Sequence, residues 1–296
     1  MAAARRGGFT LIEVLIALAI LGIVIAQAFA VFGAQHVTYA NTERSIEVQE
    51  DVRLIADAVL ADVRMAGYMV PRVAGIASID GGNAAADTLC ASDPAKIADA
   101  QVAGATARFD RAQLAAAVGA GATAATLASL DVDSDGDTDF VVNEGIIVAD
   151  GTSSHCATVT GLAGNVVSFS PATPAGFAAA VSSGRAVPAV TYRLVGADLM
   201  RNALRLARDV EDLQLEFGVD ADSDGQIAAG EYVHDLNGSD PLDILALRLS
   251  VISRADREDD ELLTSGRPAA ANRAGGAADG FRRRRVTASL VPRNLL

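Results

Sequence analysis

The chain has 296 residues, a formal net charge of −13, and 51% hydrophobic against 21% charged residues. That length suffices for one sizeable domain or two small ones. The acidic balance argues against broad nucleic-acid binding, which needs a basic face, although a basic run stands at Arg282 to Arg285.

Taken in chain order, the first feature is the N-terminus. Arg5 and Arg6 precede Gly7-Gly8-Phe9-Thr10-Leu11-Ile12-Glu13, and an apolar run then extends to Phe32 with Glu13 as its sole ionisable side chain. The run is long enough to span a bilayer, and the two arginines place its start in the cytoplasm. A carboxylate near the start of a membrane helix is disfavoured and marks function. Two ordinary readings compete. One is a cleaved secretory signal, for which Ala26-Gln27-Ala28 and Ala28-Phe29-Ala30 offer small-residue sites. The other is a plain signal anchor. Neither accounts for a glutamate five residues after a glycine at the membrane edge. The motif resembles the class III signal of type IV pilins. That resemblance implies peptidase cleavage between Gly8 and Phe9, methylation of the new N-terminus at Phe9, and an assembly role for Glu13.

The helical pattern continues past the apolar run. From Gln35 to Ala66 the chain is charged and free of proline, and Val48, Val52, Ile55, Val59 and Ala66 recur on one face. Gly67 and Pro71 end it. The expectation is one helix of about 60 residues, apolar all round in its first half and one-sided in its second.

Val70 to Leu130 is rich in Ala and Gly. It reads as irregular loops and short strands, with Arg111 to Val118 as a candidate short helix. Strand signals follow at Phe140–Val142, Gly145–Val148, Cys156–Val159, Val166–Ser170 and Ala189–Val195. Gly196 to Ala203 reads as a hairpin turn with Leu204–Leu206 as the second arm. Val210–Val219 and Leu242–Ser253 alternate as half-buried strands, Arg254 to Gly280 reads as a mobile loop, and Arg285–Val291 is the last strand. The final two strands are expected to pair across that loop.

Cys90 and Cys156 are the two cysteines, and in an exported domain a pair is expected to be bridged. In the chain-entropy view such a long loop gives about 4 kcal/mol.

Two loops are dense in aspartate. Asp220-x-Asp222-x-Asp224-Gly225-Gln226, closing on Glu231, fits the twelve-residue calcium loop in full. Three side-chain oxygens, the Gln226 carbonyl and a bidentate Glu231 make a hard oxygen shell suited to Ca²⁺. Strand-like flanks make this a structural staple rather than a helix–loop–helix sensor. Asp131, Asp133, Asp135, Asp137 and Asp139 form a second such loop, without the closing glutamate: position twelve is Val142, and Glu144 comes two residues late. The alternative for both loops is a solvated acidic turn.

His36, His155 and His234 are scattered, and no nucleophile–base set or phosphate loop occurs, so no enzymatic activity is expected.

Near the C-terminus, Tyr192-Arg193-Leu194, the run Asp209 to Asp220, the strand Leu245 to Arg254 and the ending Arg285 to Asn294 resemble the PilW-type minor pilins, whose structural cousins are the J-type pseudopilins. Val70 to Pro188 carries no such motif. The resemblance implies an α+β, type IV pilin-like fold: a long N-terminal helix packed on an antiparallel β-sheet domain. It implies a leader at 1–8, a membrane or filament-core helix at 9–32, an amphipathic stem at 33–67 and an exported domain at 68–296. The function implied is priming or capping of a pilus from the inner membrane. Its partners would be other major and minor pilins, the prepilin peptidase, the assembly platform and the membrane, with no nucleic acid. A type II secretion pseudopilin, and a membrane-anchored calcium-dependent adhesin, are the alternatives.

Overall fold

The computed structural model describes residues 10–97, 112–133, 135–179, 184–236, 243–258 and 266–295. Among these residues one α-helix, α1, runs from Leu11 to Met65. The chain divides into two compact units, one ending at Glu47 and one beginning at Val48. In the first unit every described residue from Thr10 to His36 is exposed, including Leu15, Leu18, Ile23 and Phe32. A soluble helix does not present apolar side chains on all faces, and the segment is apolar and long enough to cross a membrane.

In the second unit, α1 buries Val48, Val52, Ile55, Val59 and Val63 along one face. Gly67 takes φ +82°, the left-handed conformation that closes a helix C-terminus. The last carbonyls are met from the other end of the chain: Asn294 Nδ2 donates to Arg64 O at 3.4 Å and Met65 O at 3.2 Å.

Among the described residues thirteen strands follow: β1 (Ile76–Ile79), β2 (Thr88–Ser92), β3 (Ala124–Thr126), β4 (Gly145–Ala149), β5 (Ser154–Ala163), β6 (Val166–Ser170), β7 (Arg185–Val195), β8 (Asp198–Arg201), β9 (Leu204–Ala207), β10 (Val210–Val219), β11 (Tyr232–Val233), β12 (Ile244–Glu258) and β13 (Phe281–Leu290). All pairings between them are antiparallel. One sheet has the order β1-β2-β7-β4-β5-β6-β3, with β8 on β7 and β9 on β8; the other has the order β11-β10-β12-β13.

The second sheet carries the alternation its sequence shows. Leu213, Leu215 and Phe217 of β10 sit opposite Val251, Leu249 and Leu247 of β12, and these six are fully buried in one core with the α1 face. The first sheet is largely a second core, formed by residues between Val70 and Ala189. Every residue of β4 is buried, so both its faces are covered.

The Cys90–Cys156 disulfide reports how that sheet curls. β7 and β4 lie between β2 and β5 in the strand order. A flat sheet would hold the cysteines about 14 Å apart, whereas their Cα atoms are 5.5 Å apart and the sulfurs are bonded. The sheet therefore rolls over on itself around a fully buried bridge.

Four sequence expectations need correction. Residues 112–118 are not helical: Gln113, Leu114 and Val118 bridge to Arg185, Leu127 and Phe177, because the Ala-rich segment gains more by closing the second core. Phe140–Val142 is not a strand; Phe140 plugs the core while Val142 and Asn143 turn. Residues 196–207 form two turns, with β8 between them, so Leu204–Ala207 is the third arm of a meander. Finally, β12 runs on to Glu258 as a ribbon with β13, and 266–280 is docked by buried ion pairs rather than loose.

Candidate functional sites

At its N-terminus α1 carries a reciprocal cap. Thr10 N–H donates to the Glu13 carboxylate at 3.1 Å and Thr10 Oγ1 donates to it at 3.2 Å, while Glu13 N–H donates to Thr10 Oγ1 at 3.3 Å. Glu13 thus occupies the first turn, where the helix dipole favours an anion. The Thr-x-x-Glu spacing signals this cap in the sequence, although the class III motif draws attention first. Gly8 and Phe9 lie outside the described residues.

The loop 220–231 joins β10 to β11, a strand on either side. Asp220, Asp222 and Asp224 bring one carboxylate oxygen each within 4.8 Å of the others. Asp220 accepts from Asp224 N–H at 3.0 Å and Gly225 N–H at 2.8 Å. Gly225 turns the chain at φ +78°. Asp224 accepts from Gln226 N–H at 2.7 Å. Glu231 reaches back over the loop, accepting from Ala221 N–H at 3.2 Å and Ala228 N–H at 2.7 Å. The Asp224 N–H lowers the Asp222 carboxyl, but the opposing causes, among them the Asp224 and Glu231 charges, leave it above the ordinary range.

In the second acidic loop, Asp131, Asp133 and Asp139 converge within the same 4.8 Å. Asp133 and Asp139 are buried, and Asp139 accepts from Val132 N–H at 2.5 Å. Burial, opposed by that N–H and reinforced by the Asp133 charge, raises Asp139 to about 6. The convergent trio leaves out Asp135 and Asp137, which are exposed. Glu144 does not close the loop: it pairs with Lys96 at 3.6 Å.

The basic run 282–285 is not a continuous patch. The Arg283 side chain is enclosed between Glu211 and Asp279, at 2.5 Å from each, and Arg285 donates to Ala269 O at 2.7 Å. His155 is buried with Nε2 3.1 Å from Pro171 O, and burial lowers its pKa. Its neighbour Cys156 is oxidised, so the pair is no metal site.

Two polar clusters escaped the sequence reading. Asp62 on α1 accepts from Tyr192 Oη at 2.5 Å and from Arg201 Nε at 2.8 Å and Nη2 at 3.1 Å, tying the stem to β7 and β8. Asp212, fully buried on β10, takes Arg267 at 2.6 Å and Arg273 at 2.7 Å from the 266–280 segment. Only their separations of 130 to 139 and of 55 to 61 residues hide them from a local pattern.

Comparison with known proteins fits this geometry. The prokaryotic N-terminal methylation motif matches residues 3–26, and the family Type IV Pilus-assembly protein W matches residues 179–294. The second match begins just before β7 and takes in the whole of the second sheet; the first sheet up to β6 lies outside both matches. The pilin-like protein PilA3 of Thermus thermophilus is 43% identical over 62 residues, which is 21% of this chain. The aligned segment spans about a quarter (27%) of that relative. No solved structure matches. The methylation motif stands at the head of an exposed apolar helix and the W-type match folds as the sheet on its stem, so over these two segments the chain is similar to pilin-like proteins of the type IV pilus-assembly W type.

Proposed function

We propose that the chain is a minor pilin that primes or caps assembly of a type IV pilus, a structural rather than catalytic part. The observation that carries this reading is the exposed apolar face of α1 interrupted by one carboxylate, Glu13. Such a surface suits a bilayer first and a filament core afterwards. In this reading residues 1–8 are the leader, 9–32 the membrane and core segment, 33–67 the stem and 68–296 the exported domain. The peptidase cuts at Gly8–Phe9. Glu13 then leaves its Thr10 cap to pair with the methylated N-terminus of a neighbouring pilin, so that neither charge is left alone in an apolar core. The likeness to the pilin-like PilA3 supports the same class.

Calcium belongs to the proposal. Asp220, Asp222 and Asp224 converge within 4.8 Å of one another, and Glu231 is folded back over the loop. All donors are hard oxygens, which fits Ca²⁺. When bound, the ion would supply charge neutralisation and a cross-link between β10 and β11.

Mass spectrometry of the mature N-terminus tests the central claim. Methylated Phe9 is the expected result; an N-terminus at Met1, Phe29 or Val31 overturns it. Deletion should remove surface pili, and a secretion defect with pili intact would assign the chain to a pseudopilus. For the metal, Glu231→Gln should weaken Ca²⁺ binding by about tenfold or more; unchanged affinity removes the ion from this loop.

A further inference from the structure

From residue 221 to residue 230 every side chain is exposed except Ile227. Ile227 lies over Gly218, on the face of β10 opposite the α1 core. A Cβ built on Gly218 would fall 2.9 Å from Ile227 Cγ2, 3.1 Å from Ile227 Cγ1 and 3.1 Å from Ala246 Cβ. Gly218 and Ala246 are cross-strand partners on β10 and β12. The missing side chain of Gly218 therefore makes a slot, with the Ala246 methyl as one wall, and Ile227 fills it. The strand end is fixed nearby, where Asp220 N–H donates to Asp243 O at 2.9 Å.

We infer that Gly218 and Ile227 form an apolar latch that positions the 220–231 loop. The loop is otherwise held by its own carboxylates accepting its own amides, and those bonds are mostly exposed. Asp220 lies two residues after the slot and Asp224 three residues before Ile227. Seating Ile227 thus fixes both ends of the arc on which the three aspartates converge. Neither residue offers a metal ligand through its side chain, so both are positioning residues. The consequence for calcium rests on the reading proposed above; the latch itself does not.

The test uses the full chain in detergent, with two readouts. The first is amide hydrogen exchange at Asp224 and Gly225 in the presence of chelator. Gly218→Ala forces Ile227 out of the slot and should speed exchange about tenfold. Ile227→Ala should do the same from the loop side without altering the strand. The double variant Gly218→Ala/Ile227→Ala restores the space and should recover part of the protection lost in Gly218→Ala, which a general loss of fold would not. The second readout is Ca²⁺ affinity, expected to fall by about tenfold in each single variant with every ligand residue intact. Exchange unchanged in both single variants overturns the latch. Exchange altered with no Ca²⁺ binding in the unmodified chain leaves the latch standing and overturns the metal reading.

Discussion

Replacing Arg267 and Arg273 by alanine, singly and together, asks whether 266–280 is a docked part of the fold. The two guanidiniums share the Asp212 carboxylate, one on each oxygen, at 2.6 and 2.7 Å. Asp212 is fully buried, and its other partner is Gln214 Nε2 at 3.0 Å. Removing either arginine leaves the carboxylate one cation and the amide, so each single change should cost about 1–2 kcal/mol. Removing both leaves a buried charge with a neutral donor only, which costs about 3–5 kcal/mol. The double variant should thus exceed the sum of the singles by about 1 kcal/mol, a coupling typical of groups in one network. Guanidinium denaturation of the full chain in detergent reads this from the transition midpoints at constant slope. Strict additivity, or a double variant within about 1 kcal/mol of the unmodified chain, would refute the docking.

Burial, against the amides of Gly81 and Leu215 and with the charges of Asp80 and Asp212, raises Asp87 to about 7. A carboxyl raised in the folded state holds its proton more tightly there than when unfolded. Its contribution is complete below the unfolded value and is lost as pH rises through 7. With chelator present, Asp139 acts in the same sense through about 6. Stability should therefore fall by more than about 1 kcal/mol between pH 5 and pH 8, and Asp87→Asn should flatten the slope; a rise across that range would contradict the burial argument. Replacing Cys90 and Cys156 together by alanine should cost about 4 kcal/mol for a separation of 66 residues, seen as a lowered midpoint that reductant reproduces in the unmodified chain. Ile55→Ala, at a fully buried site on the stem, should cost about 2–5 kcal/mol; less than about 1 would mean that the stem face is not packed.

Local patterns in this sequence are reliable where one period dominates. The stripe from Val48 to Ala66 and the alternation in Val210–Val219 each specify an element and a buried face, and both faces meet in one core. In the 220–231 loop the Asp-x-Asp-x-Asp-Gly spacing likewise brings three carboxylates together within a single turn. The middle of the chain obeys no such rule. Its alanines and glycines favour no period, and bridges from Leu114 to Leu127 and from Val118 to Phe177 decide its path. Polar residues were the least legible of all. Asp62, Asp87 and Asp212 sit among many similar acids, and only tertiary partners distinguish them. The run of four arginines misleads for the same reason, since Glu211 and Asp279 neutralise Arg283 from outside the strand.

The ends of the chain show how stem and sheet become one body within the second unit. Leu295 is buried, and a Cβ on Gly67 would fall 2.6 Å from its Cδ2. Asn294, beside it, caps the last helical carbonyls. In the last turn of the helix, Asp62 is held by Tyr192 and Arg201. Lower down, the Val48–Val59 face is packed on β10 and β12. These contacts are of three kinds: an apolar face, a charge-assisted bond and a cap. A pull along the helix would have to break all three before the stem left the sheet. The residues that supply them on the sheet side lie almost wholly within 179–294, the stretch shared with the pilus-assembly family. The second core is largely built by residues outside that stretch and fastened by its own disulfide. It can therefore vary its surface without loosening the joint between stem and sheet.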